Sequence, residues 1–307
     1  MWPFYNDPQQ FDRPASQELA DRLHAHVDML AGVIGVRHLE KRGTMEATAA
    51  YIEQQFRQMG FLVEHECYQV GSFTTHNLVA EIRGSRNPEE CLIVGAHYDS
   101  VEDSPGADDN ASAVAVLIES ARLLQGFRPR RTIRFVAFTC EEAPYYHRGT
   151  MGSQFHARQC RQRNENIVGM LCLEMMGYYR DDPGSQNIPP AIPKWIHWAF
   201  PSTANFLGAI GNPQSWKLCW QFRRGFKRAT GFPLFSIVLP EKIEEIRRSD
   251  NSSFWDQGYP ALMLTDTSFL RSPHYHQPSD TPDTLNYARM SHVTTGVVEA
   301  VRRIAGR

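Results

Sequence analysis

The stretch CLIVGAHYDS, residues 91–100, decides the fold. Its first six residues, Cys91 to Ala96, form a continuous apolar run bounded by charged loops. A short run without alternation predicts a strand buried on both faces, as in a parallel sheet covered by helices. The run then stops on His97, Tyr98 and Asp99. Polar chemistry therefore stands at the carboxyl end of the strand, where ligands of open α/β sheets gather.

Working outward, Leu19, Leu23, Val27 and Leu30 recur at helical spacing and predict a helix over 17–33. A second helix is expected over 45–59, with Gly60 ending it. Residues 61–69 alternate and 77–83 read as an exposed strand. A helix is predicted over 111–124, further strands over 132–139, 167–173 and 261–265, and a closing helix over 287–304. Strands alternating with helices of this length predict an α/β protein. Its expected form is a three-layer α/β/α architecture with a mixed, mostly parallel central sheet. Residues 1–16 read as an N-terminal arm and 17–307 as a single domain. Within it, 178–235, where Pro, Trp and Phe interrupt any period, is expected to be an excursion that builds a pocket wall.

With 307 residues, 42% of them hydrophobic, the chain can bury a large core. A formal net charge of -2 offers no polyanion-binding surface, and no apolar run reaches the roughly 18 residues of a membrane span. Neither nucleic acid nor membrane is therefore expected as a partner. The opening MWPFYNDPQQFDRP lacks a basic stretch followed by an apolar one, so a cytoplasmic location is expected unless a leader has been removed. The six cysteines form no CxxC pair, and Cys91, Cys140 and Cys172, in or beside apolar runs, read as buried free thiols. Arg128–Arg131 and Arg223-Arg224 are expected to be solvated. Trp195, Trp198, Trp216 and Trp220 are expected in a pocket wall, a lid or the core.

The polar residues at the strand ends carry the function. Apolar runs end in His97-Tyr98-Asp99, in Glu141-Glu142 and in Glu174, and His274-Tyr275-His276 lies shortly after the last strand, 261–265. An acidic loop, Gly106-Ala107-Asp108-Asp109-Asn110, precedes a helix. Singly, each feature has an ordinary explanation: a core histidine, a helix cap, a solvated strand end. Together they bring imidazoles and carboxylates to one sheet edge. Converging carboxylates are costly to bury unless a cation neutralises them, and this donor set suits zinc.

HYDS at 97–100, PGADDNASA at 105–113, CEE at 140–142, LEMMGYY at 173–179 and YHQPSDT at 275–281 together resemble the successive motifs of the M28 family of zinc peptidases. The resemblance implies the zinc-exopeptidase fold, two Zn2+ ions per chain and peptide substrates; it leaves the oligomeric state open. It also implies roles. His97 and Glu174 would hold one zinc and Glu142 and His276 the other, with Asp109 between them. Glu141 would be the general base, Asp99 would orient His97 through its other ring nitrogen, and Tyr275 would donate to the oxyanion. Asp250 would orient a ligand. His276 is preferred over His274 because its spacing to Asp280-Thr281 fits the family. Glu174 stands where Asp is frequent, and Ala113 where Gly is frequent.

The implied activity is a metallo-aminopeptidase. Alternatives are a glutaminyl cyclase-like acyltransferase, another exopeptidase of the family (dipeptidase or carboxypeptidase), and a catalytically silent scaffold.

Overall fold

Strand β3 (Asn87–His97) sends alternate side chains into two different cores. Leu92, Val94 and Ala96 pack on one side of the sheet, and Cys91 and Ile93 on the other. That is the packing a continuous apolar run requires. The computed structural model describes residues 15–306, so nearly all of the expected N-terminal arm lies outside the described residues.

The sheet is mixed. Its strands are β1 (Val63–Val70), β2 (Phe73–Ile82), β3, β4 (Arg131–Phe138), β5 (Asn166–Glu174), β6 (Leu207–Gly211), β7 (Leu234–Val238) and β8 (Ala261–Thr265). Their spatial order is β1-β2-β4-β3-β5-β8-β6-β7. The four central strands β4, β3, β5 and β8 run parallel, while β2 joins β4 and β6 joins β8 in antiparallel fashion. In the central register His97 lies beside Phe138 and Glu174 beside Thr265, so the parallel strands end at nearly the same level.

Helices cover both faces. On one side pack α1 (Gln17–Val27), α2 (Arg42–Gln58), α3 (Ala113–Leu123), α5 (Trp216–Ala229) and α7 (Tyr287–Ala305). On the other lie α4 (Gly152–Gln162) and α6 (Asn251–Asp256). The helix expected over 17–33 is α-helical only to Val27, continues as a wider π-helical segment, Asp28–Ile34, and stops at Gly35 with φ 81°. The helix expected from 111 begins at Ala113, because residues 107–112 make a wide turn that carries the acidic loop. The excursion at 178–235 contributes β6, α5 and the start of β7 to the fold. LGAIG and LFSIV are each only five residues long, too short for a period to show.

A buried arginine pins this edge of the sheet. Arg37 has no exposed surface, and its guanidinium donates to the carbonyls of Tyr98 (2.9 Å), Leu30 (3.3 Å), Gly35 (3.1 Å), Pro105 and Gly106 (2.8 Å). One side chain thus ties the end of β3 to the loop before the acidic turn. Burial pulls its pKa down to about 10, the carboxylates of Asp280 and Asp99 oppose that, and it stays charged at neutral pH. Replacing Arg37 with Met would orphan several buried carbonyls at once, so a loss of about 3 kcal/mol or more is expected in urea unfolding of the metal-free protein. A loss below about 1 kcal/mol would show that the loops hold themselves.

Candidate metal centre

His97, the last residue of β3, points its Nε2 at three carboxylates. Asp109 Oδ1 lies at 3.3 Å, Glu174 Oε2 at 3.4 Å and Glu141 Oε2 at 3.9 Å. A second imidazole faces the same acidic loop: His276 Nε2 lies 3.2 Å from Asp109 Oδ2 and 3.4 Å from Glu142 Oε2. Each oxygen of the Asp109 carboxylate therefore faces a different histidine. His97, Asp109 and Glu174 could hold one cation, and Asp109, Glu142 and His276 another. Glu141 stands farther from His97 than the other two acids, and with His97 and Glu142 it forms a third group that could hold a cation.

The loops that carry these groups are held by carboxylates gripping backbone. Asp99 Oδ1 accepts from the N–H of Glu141 at 3.1 Å, and Oδ2 from that of Glu142 at 3.0 Å. Asp280 does the same to the acidic loop, accepting from the N–H of Asp108 at 2.9 Å and of Asp109 at 3.1 Å. Asn110 closes the loop onto β5: its amide donates to Leu173 O and its carbonyl accepts from Met175 N. Ser249 Oγ donates to Glu174 Oε2 at 2.6 Å and fixes that longer side chain. The contact expected between Asp99 and the His97 ring is made mainly by backbone. Nδ1 lies 3.1 Å from the Asp99 carbonyl and 3.5 Å from its carboxylate.

Three residues at the site turn the chain through left-handed backbone: Cys140 (φ 58°) before Glu141, Met175 (φ 48°) after Glu174, and His276 itself (φ 57°). Side chains other than glycine adopt this region rarely, and such positions concentrate where a scaffold forces function on the backbone.

Charge at the site is unbalanced. Burial is the main cause that holds the Glu141 carboxyl well above its usual range, with the His97 imidazole opposing and the Glu142 and Glu174 carboxylates adding to it. Glu142 is pushed up to about 8 by burial and then by Asp109. Burial likewise raises Glu174 against the pull of His97. Asp109 goes the other way, because the two facing imidazoles outweigh its burial and hold it below the ordinary carboxylate range. Burial lowers His276, but Asp109 and Glu142 outweigh it and lift the imidazole to about 10. Several buried atoms at the centre reach no hydrogen-bond partner: His97 Nε2, Asp109 Oδ1 and Glu142 Oε1. Both Asp250 oxygens are in the same position, and burial pushes that carboxyl up to about 7. Imidazole nitrogens and carboxylate oxygens that converge at 3.2–3.4 Å, with His97 Nε2 and Asp109 Oδ1 lacking any hydrogen-bond partner, fit a divalent cation of the zinc class.

Of the remaining expectations, Tyr275 stacks on the His276 ring (centroids 3.7 Å apart) and joins Glu174 in the wall of a mainly apolar pocket of about 90 Å³. Phe200, Phe206, Ile210, Phe235, Ile237 and Met263 supply much of that wall. His274 bonds Ser279 Oγ at 2.9 Å and packs edge-on against Tyr178. The four tryptophans expected in pocket, lid or core are all exposed, Trp195 at 74% and Trp198 at 76%, and none lines the pocket. Sequence reasoning missed Arg37, which no motif marks. It placed Ser249 in the stretch 248–254 that resembles a family segment but gave it no role, and noticed Asp280 only for its spacing.

Comparison with known proteins places the chain in a family and a fold. Residues 77–301 match the profile of Peptidase family M28. The chain is similar to the uncharacterized protein YfbL of Escherichia coli, at 34% identity over 96% of this chain and 91% of that one. It is also similar to a probable aminopeptidase of Saccharomyces cerevisiae, at 24% identity over 84% of this chain and 64% of the other. Among solved structures, BSAP, a zinc aminopeptidase from Bacillus subtilis, superposes with a TM-score of 0.74 at 15% identity, covering 94% of this chain and 95% of its own. A glutaminyl cyclase of Fimbriiglobus ruber superposes with a TM-score of 0.68 at 19% identity, covering 97% and 99%. These structural likenesses establish the mixed α/β/α fold, and the profile match, which spans most of the chain, establishes the family: the chain belongs to peptidase family M28.

Proposed function

We propose that this chain is an aminopeptidase that uses two zinc ions and removes residues from the N-terminus of peptides. The observation that carries the reading is the Asp109 carboxylate, with one oxygen 3.3 Å from His97 and the other 3.2 Å from His276. A single cation would sit between only one of these two histidine–carboxylate pairs. His97, Asp109 and Glu174 would hold one zinc, and Asp109, Glu142 and His276 the other. Zinc supplies positive charge that acidifies water and polarises the scissile carbonyl.

The chain's own groups do the rest. Glu141, buried and held by its backbone to Asp99, takes a proton from the attacking water on its carboxylate and returns it to the leaving amine. Asp99 fixes Glu141 and Glu142 together, so base and ligand keep their mutual geometry. Tyr275 donates its phenol to the developing oxyanion. The surrounding carboxylates attract a protonated substrate N-terminus, and the apolar pocket beside Glu174 receives its side chain.

Glu141→Gln keeps the shape and removes the base. Turnover is expected to fall by about 10²–10⁴-fold with zinc content unchanged, as read by peptide hydrolysis and metal analysis. Wild-type rates in that variant would remove Glu141 from the mechanism.

Zinc uptake should release protons. With His276 lifted to about 10 and Glu142 to about 8, the metal-free centre holds protons at pH 7 that a cation must displace. Affinity should therefore fall as pH is lowered. Calorimetric titrations with zinc in two buffers of different ionisation enthalpy should report release of one proton or more. Identical heats in both buffers would contradict this ligand set.

The reaction itself is read by mass spectrometry of four peptides: free, N-acetylated, C-amidated, and with N-terminal Gln. Stepwise shortening of the free and amidated peptides, with the acetylated one intact, is expected. Loss of ammonia from the Gln peptide without shortening would assign cyclase activity instead. Shortening from the C-terminus, blocked by the amide, would assign a carboxypeptidase.

A further inference from the structure

Residues 183–240 contain no Asp or Glu, although the chain has 34 of them. At average density, several would be expected in a stretch of that length. The same stretch holds Lys194, Lys217, Arg223, Arg224, Lys227 and Arg228, together with Trp195, Trp198, Trp216 and Trp220. In a chain of net charge -2 this is a strongly cationic, tryptophan-rich island.

The structure concentrates the island on α5. Leu218, Cys219, Phe222 and Phe226 of this helix turn into the core against α7 and the sheet. Trp216, Trp220, Arg224 and Arg228 recur at every fourth position and are exposed. Trp216 is 47% and Trp220 40% exposed, unusually open for the largest side chains. Each indole carries a cation: Lys217 Nζ lies 5.6 Å from the Trp216 ring and the Arg224 guanidinium 4.5 Å from that of Trp220. Trp195 and Trp198 belong to a short helix, Lys194–Ala199, whose Ile196 packs into the core on the other side of the sheet, so α5 is considered by itself.

An outward face that pairs indoles with lysine and arginine has the chemistry of a bilayer surface. Amphipathic rings settle at the headgroup level, while cations above them meet phosphates. Nucleic acid fits less well, because the face is one convex helix on a chain of net negative charge. We propose that the outer face of α5 docks this protein on bilayers rich in anionic phospholipid. The expectation of no membrane partner rested on the absence of a spanning segment. No helix of the described residues is long and apolar enough to cross a membrane, but peripheral docking needs none.

The test is co-sedimentation of the full chain with vesicles of phosphatidylcholine alone, or of phosphatidylcholine mixed with phosphatidylglycerol, with tryptophan fluorescence read in parallel. Binding is expected only to the mixed vesicles, weakening as salt rises, with a blue shift of the emission. Arg224→Glu with Arg228→Glu should weaken it by at least about tenfold. Trp216→Ala with Trp220→Ala should weaken it and reduce the blue shift. Circular dichroism and the unfolding midpoint, unchanged in both double variants, would show that folding is not at issue. No binding to mixed vesicles, equal binding to both compositions, or unchanged binding by both folded variants would overturn the proposal. So would capture of poly-glutamate or DNA while vesicles are ignored.

Discussion

An excess of buried negative charge at one edge of the sheet is the constraint on which the rest of the structure depends. Asp109, Glu141, Glu142, Glu174 and Asp250 are all buried there around the His97 imidazole. Two like charges 4 Å apart repel by about 4 kcal/mol at an effective dielectric constant of 20. Such a cluster survives folding by holding protons or by holding cations; without a cation, burial pushes the Glu141 and Glu142 carboxyls up, and Asp109 and Glu142 lift the His276 imidazole. The cost of assembling it also explains why so much of the surrounding chain is committed to keeping these groups in place.

That commitment takes a repeated form. Asp99 and Asp280 each spend both carboxylate oxygens on two consecutive backbone N–H groups, the first beneath Glu141-Glu142 and the second beneath Asp108-Asp109. Arg37 supplies the complement, one guanidinium gathering the carbonyls of the same loops. Acids therefore act here in two capacities, some aimed at the centre and others anchoring the loops that aim them. Of the left-handed turns, Cys140 precedes the Glu141-Glu142 segment held by Asp99, and Met175 is held by Asn110.

What the sequence made legible follows from how each residue earns its position. Long elements with a clear period, such as α7, and continuous apolar runs, such as Cys91 to Ala96, report their burial directly. The proposed ligands were readable because they sit at strand ends in recurring motifs. Among the anchors, Asp99 and Asp280 stood out by their motifs, whereas Arg37 and the role of Ser249 did not. Arg37 lies in an irregular connection and acts through carbonyls, which any sequence possesses. Ser249 is one polar residue among several in a row. The strands β6 and β7 are too short to show a period, and their pairing depends on the sheet already existing beside β8. The tryptophans misled because size alone predicts burial, whereas the burial of α5 is set by Leu218, Phe222 and Phe226.

The central claim is that the Asp109 carboxylate is shared between two cations. Crystals of the zinc-loaded protein, with diffraction recorded on either side of the zinc absorption edge, test it most directly. The account predicts two anomalous peaks flanking Asp109, one against His97 and Glu174 and the other against Glu142 and His276. A single peak, or a second one away from Asp109, would contradict it.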